Sequence, residues 1–215
     1  MKSKRAFRPG SLDRLEVRLV LSRVGMGMPA AAEVGGVSAA RAGRPAADRM
    51  TVQFEVSFLT GMIPHHQMAI RMSQVALRNS ADAGVRDLAQ RIIAAQRPEI
   101  RQMQRFLAVD GVRGFRPTPS SDERAVLGEL RSLRGGEFDR AFLSEMIGHH
   151  RAAIAGGHSM PGASECLERA GQPGLRRLCS SIVSTQTQEI QEMQMLLGEA
   201  GGMPPGHGGM GDHGG

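Results

Sequence analysis

The strongest constraint on how this chain can fold is that it repeats itself. FLTGMIPHHQMAI at 58–70 returns as FLSEMIGHHRAAI at 142–154. At an offset of 84, Phe58/Phe142, Leu59/Leu143, Met62/Met146, Ile63/Ile147, His65/His149, His66/His150, Ala69/Ala153 and Ile70/Ile154 coincide. A second stretch follows each copy: Gln96, Glu99, Ile100, Met103 and Gln104 return as Gln186, Glu189, Ile190, Met193 and Gln194 at an offset of 90. Each half is therefore the same two-part unit, and the second half has the longer connection.

Both parts read as helices. Phe54, Phe58, Met62, Ile63, Met68, Ile70 and Met72 recur at helical rather than strand spacing from near Met50 onward. Pro64 interrupts that helix, kinking it or leaving the carbonyl near Thr60 unpaired. The Asn79–Gly84 cluster is turn chemistry, with Asp82 a candidate N-cap. A second helix runs through Leu88, Ile92, Gln96, Met103 and Leu107, and Pro98 inside it predicts a kink. Residues 110–120 connect the halves, Ser121-Asp122-Glu123 starts a short helix to about Leu133, and Gly135-Gly136 ends it. A third helix spans Glu137 to about Gly156, and the fourth carries Leu175, Leu178, Ile182, Ile190 and Leu197. Two αα-hairpins that each expose an apolar face are unstable apart. Packed together they give an all-α four-helix bundle with pseudo-twofold symmetry over residues 50–200, repeat one about 51–110 and repeat two about 137–200.

Charge narrows the partners. The formal charge of +6 invites nucleic acid, but residues 1–50 hold 10 Lys+Arg against 4 Asp+Glu, whereas residues 51–215 hold 17 of each. The repeat-bearing part is neutral, and with no Trp, no Tyr and 7 Phe the chain as a whole is short of stacking platforms. No nucleic-acid partner is expected. Nor is a membrane span, since no run approaches about 18 apolar residues. Residues 1–49 read as a disordered basic leader. Its basic start and Ala30-Ala31-Ala32 imitate an export signal, but Arg18 and Arg23 break the apolar stretch a signal needs. The two cysteines, Cys166 and Cys179, fit one disulfide or two thiols equally well, and neither has a repeat counterpart.

The chemistry concentrates on the repeats. Counting outward from the first turn, His66 is 16 residues before Asp82 and Glu99 is 17 after it, so an antiparallel hairpin puts them level. His150 and Glu189 straddle the Glu165–Gly174 loop in the same way. Each half thus sets a His pair opposite a Gln-x-x-Glu-x-x-x-Met stripe. Met62 reaches His65 at i+3 and His66 at i+4. Adjacent histidines point about 100° apart, so one faces the bundle and the other a rim or the partner hairpin. Imidazole with thioether suits Cu(I), while imidazole with carboxylate also accepts Zn, Cu(II) or Fe. Glu99 and Glu189 are direct ligands or acceptors that fix each His tautomer. A methionine stripe alone is usually core filler, and a single inward histidine is more often hydrogen-bonded than ligating. Two adjacent histidines, duplicated beside Met and across from Glu, are harder to explain by packing. The C-terminal tail, 201–215, carries Met203, His207, Met210 and His213 in a Gly-rich segment that cannot fold alone, and Met26 and Met28 lie in the leader.

At these residues the chain resembles the domain of unknown function 305 family, bacterial proteins with a ferritin-like four-helix bundle. Met62, Ile63, Pro64, His65, His66, Ala69 and Ile70 meet its Met-Ile-Pro-His-His-x-x-Ala-Ile core, and Gln96, Glu99, Ile100 and Met103 its later stripe. The second half matches with Gly148 in place of the proline. The resemblance implies a candidate copper ligand set: Met62, His65, His66, Met72 and Met103, with Met146, His149, His150 and Met193. The counterpart of Met72 is Gly156, so the second site is incomplete or is completed by His158 or Met160. Some relatives bind copper outside the cytoplasm, which implies an extracytoplasmic location here.

Three functions compete. The first is a non-enzymatic copper buffer or carrier. The second is a ferritin-like oxidoreductase with a di-iron centre, for which the carboxylates are too few: that site needs Glu-x-x-His on two helices plus two more Glu, and Gly61 stands where the second half has Glu145. The third is a structural bundle whose histidines satisfy one another. Self-association is open.

Overall fold

The computed structural model describes residues 46–157 and 160–201. Among the described residues there are six helices and no strand beyond an isolated bridge: α1 (Ala46–Asn79), α2 (Ala83–Val109), α3 (Ser121–Ser132), α4 (Gly135–Ala155), α5 (Ala163–Arg169) and α6 (Pro173–Gly201). None is long and apolar enough to cross a membrane. Helix α1 packs along α2 and α4 along α6; the two hairpins join where α1 meets α4 and α2 meets α6.

Local chemistry sets the helix ends. Asp82 caps α2 by accepting a hydrogen bond from the Val85 N–H at 2.9 Å. Ser120 and Glu123 form a reciprocal capping box on α3. The Asn79 side chain, at the end of α1, donates to the carbonyls of Leu130 and Leu133, so the end of α3 is fastened to the first hairpin. Pro64 and Pro98 both lie inside single helices rather than dividing them. Two boundaries differ from expectation. Helix α1 begins four residues before Met50, and Gly135 opens α4 with a φ of 55° instead of closing α3, which has already ended at Ser132.

The longer connection of the second half is the larger surprise. It holds a short helix, α5, that helical periodicity did not reveal, and a disulfide joins Cys166 of α5 to Cys179 of α6. Buried Glu55 of α1 anchors the same region by accepting from the Gly171 and Gln172 N–H groups at 2.9 Å each. The Gln172 amide also donates to Glu55 and, at 3.0 Å, to Asp110 after α2. Three elements are thereby held at one end of the bundle.

The core is divided. In α1, Phe54, Phe58, Leu59, Met62 and Ile63 belong to one apolar cluster, and Met68, Ala69, Met72, Val75 and Ala76 to another. In α4 the order is reversed: Phe138 to Ile147 belong to the second cluster and Ala153 to the first. Helices α1 and α4 therefore cross antiparallel. The gap between the clusters falls at residues 65–66 and 149–150 in both helices, where the histidines are.

Candidate metal centre

The four repeat histidines form one layer through the middle of the bundle. His65 of α1 and His149 of α4 meet face to face across the hairpin boundary, ring centroids 3.6 Å apart and planes tilted by 31°. Each remaining histidine turns into its own hairpin. His66 Nε2 lies 3.1 Å from Glu99 Oε2, and His150 Nε2 lies 2.8 Å from Glu189 Oε2. This is the level that residue counting along each hairpin anticipated. Counting did not show that the His pairs of the two halves meet in one layer through the His65–His149 contact.

The hydrogen bonds fix the chemistry of the inner pair. A carboxylate oxygen only accepts, so Nε2–H of each imidazole donates to it, and a neutral ring held in this way would present its lone pair at Nδ1. Both of those Nδ1 atoms are buried without a partner, as are both ring nitrogens of His65, while the His149 ring lies against the His65 backbone. Leaving a buried polar group unpaired costs about 1–3 kcal/mol. The neighbouring Gln96 amide and Gln186 Oε1 are unpartnered as well. Burial is the largest cause holding the pKa of His65 well below its usual 6.5, with His66 and His150 adding to it. His149 is lowered in the same direction, by burial first and then by the facing His65. Both rings are therefore neutral near pH 7, as ligation requires.

Methionines flank this layer on both sides. Met62 and Met103 are buried in the first cluster, and Met68, Met72, Met146 and Met193 in the second. Met72 thus lies with the methionines of the second half, although it follows the His pair of the first. Its repeat mate, Gly156, has a φ of 81° and lies so close to Gly162 that an added Cβ would come within 2.4 Å of the Gly162 nitrogen. The tight turn between them, bridged at Gly156 and Pro161, delivers Met160 into the first cluster. There Met160 lies on Gly61, where an added Cβ would meet its Cβ at 2.5 Å and its Sδ at 3.3 Å. His158, Met26, Met28, Met203, His207, Met210 and His213 lie outside the described residues.

A family model described as a domain of unknown function, DUF305, matches the chain twice, over residues 22–111 and 113–197. The chain belongs to the DUF305 family. A DUF305 fragment from Deinococcus radiodurans is 32% identical with a TM-score of 0.58, over 67% of this chain and 95% of that one. CopM in its Cu(I)-bound form is 28% identical with a TM-score of 0.58, over 69% and 98%. A candidate secreted DUF305 protein from Streptomyces coelicolor is 26% identical with a TM-score of 0.56, over 75% and 98%. CopM has also been solved in apo, Ag-bound and Cu(II)-bound forms. Among curated proteins, the uncharacterized protein L153 of Acanthamoeba polyphaga mimivirus is 44% identical over 50 residues, 23% of this chain and a third of that relative's length.

In this DUF305 chain, no group of three or more His, Cys, Asp or Glu converges as a closed cage among the described residues. A ligand set built here draws on the thioethers of the flanking layers or on rotation of the imidazoles. The cysteines are not available to it, since both are buried in the disulfide. Glu145, half-buried on α4, has its carboxyl pKa raised by burial and by Glu129.

Proposed function

We propose that this protein binds a soft monovalent cation, Cu(I) foremost, at the shared histidine layer, and acts as a non-enzymatic buffer or carrier. The observation that carries the reading is the set of buried ring nitrogens left without a partner, both on His65 and the Nδ1 atoms of His66 and His150, in one layer with the facing His149 ring. Neutral imidazoles between two methionine layers match a cation that favours nitrogen and thioether donors. Glu99 and Glu189 act as acceptors that orient His66 and His150, and Met62, Met103, Met146 and Met193 complete the ligands, with Met72 and Met160 on opposite sides. CopM, solved with Cu(I), Cu(II) and Ag bound, shares this fold, which supports copper as the ion. A location outside the cytoplasm suits the Cys166–Cys179 disulfide and the candidate secreted relative. The test is to load the full chain with Cu(I) anaerobically and count bound metal. His65→Ala with His149→Ala is expected to abolish binding at the layer. A stoichiometry equal to wild type in that variant, and in His66→Ala with His150→Ala, would end the proposal.

A further inference from the structure

The seam between α2 and α6 is where the carboxylates of the centre reach solvent, the Glu99 side chain retaining 13% exposure and that of Glu189 10%. Residues on α2 and α6 are related by the offset of 90, so the two ends of the seam can be compared position by position. At the Glu99 end a cleft of about 400 Å³ opens between the helices, lined by Glu99 and Gln102 of α2 and by Arg177, Ser181 and Thr185 of α6. At the Glu189 end the mates of Gln102, Arg177 and Ser181 are Glu192, Asp87 and Arg91. There the Arg91 guanidinium crosses the seam, paired with Asp87 on its own helix and with Glu192 on α6. A short hydroxyl at one end is replaced by a tethered bar at the other.

We propose that the α2–α6 cleft is the port by which a soft cation enters and leaves the centre, passing Glu99 to reach His66, and that Arg91 bars the matching route to Glu189 and His150. The proposal rests on the soft-cation reading above. Glu99 and Arg177 both line the cleft, so it is close to neutral, and ligand softness rather than field draws the ion inward. The two ends of one nearly symmetric centre therefore exchange at different rates.

The experiment follows transfer of Cu(I) from the loaded full chain to a chromophoric Cu(I) chelator by stopped flow. Ser181→Arg is expected to slow release about tenfold, as a closed gate does, without changing the number of ions bound. Arg91→Ser is expected to accelerate the slower component. Unchanged rates in both variants would overturn the port. In the metal-free protein, deuterium exchange at the imidazole C2 positions, read by mass spectrometry, is expected at His66 before His150, with Ser181→Arg narrowing the gap. Equal exchange in the wild type would overturn the port whether or not copper binds. If the wild type binds no copper, the soft-cation reading fails instead, and the exchange order alone decides the port.

Discussion

The two methionine layers on either side of the histidines look like copies and are built differently. The second-half layer takes Met146 and Met193 from its own hairpin and Met68 and Met72 from α1, all on regular helix. The first-half layer takes Met62 and Met103 from its own hairpin, but its contribution from across the bundle is Met160, held by a loop. The crossing of α1 and α4 explains why. Residues that follow the His pair in one copy lie with residues that precede it in the other, so having Gly156 where the first copy has Met72 leaves the first half, not the second, a thioether short. The inserted connection returns a thioether to that place. A duplicated gene segment thus yields two layers that depend on different parts of the chain.

The largest way to break the comparison is to remove the staple that only the first layer has. Cys166→Ala with Cys179→Ala is expected to cost about 2–4 kcal/mol in chemical denaturation. The loss should appear in hydrogen exchange around Leu175, Leu178 and Met103 while Leu88, Ile92 and Phe142 keep their protection. Uniform loss across both layers would mean that the bundle responds as one unit.

A smaller break is Gly61→Ala. The new Cβ overlaps the Met160 Cβ, which is fixed to loop backbone and cannot swing away, so a loss of about 1–3 kcal/mol is expected, as for overpacked cores. Gly128→Ala on α3 has nothing within 4 Å and should be stabilising by about 0.5–1 kcal/mol. If the Met160 Cβ is the obstacle, Met160→Gly recovers part of the Gly61→Ala loss in a double-mutant cycle, whereas Met160→Ala, which keeps that Cβ, recovers little.

Much of this was legible in the sequence because period and repetition are local signals. The constant offset gave the hairpins, Asp82 gave the cap, and counting from it gave the His66–Glu99 level. The His65–His149 contact was not legible, because two hairpins that must pack do not reveal which faces meet or how they cross. Without the crossing, Met72 is naturally assigned to the half that carries it. The role of Met160 was visible only as an alternative, since its position depends on the Gly156–Gly162 approach, a backbone feature with no periodic trace. Helix α5 is only seven residues long, too short to show a period.

Acid should act on the shared layer before it separates the two sides. Folded His65 and His149 have pKa values depressed below 6.5, so between that value and their folded values the unfolded chain binds more protons. Stability is then fully present above about pH 6.5 and is lost as pH falls, by at most about 1.4 kcal/mol per unit for each imidazole. Asp139 and Glu145, raised by burial, act in the opposite direction in the carboxylate range and offset part of the loss. His65→Gln with His149→Gln should flatten the metal-free profile between pH 6.5 and 5, measured by denaturant midpoint. A profile unchanged by those substitutions would place the acid sensitivity elsewhere.

The finest distinction is between the loop methionine and the helix methionine that serve opposite layers. Leucine fills nearly the same volume as methionine, so Met160→Leu and Met72→Leu should each cost less than about 1.5 kcal/mol of stability. Stability therefore cannot tell the two apart, whereas soft-ion affinity can, because leucine removes the sulfur and little else. If both layers donate thioethers, each variant weakens Cu(I) by about tenfold, or about 1.4 kcal/mol, in competition with a chelator. If only the helix-borne layer donates, Met72→Leu weakens binding and Met160→Leu leaves it alone, and the loop then serves packing on Gly61. That second outcome would keep the histidine layer and discard the symmetry between its two sides. Ag(I), which has no accessible divalent state in water, repeats the measurement without redox and should rank the variants in the same order.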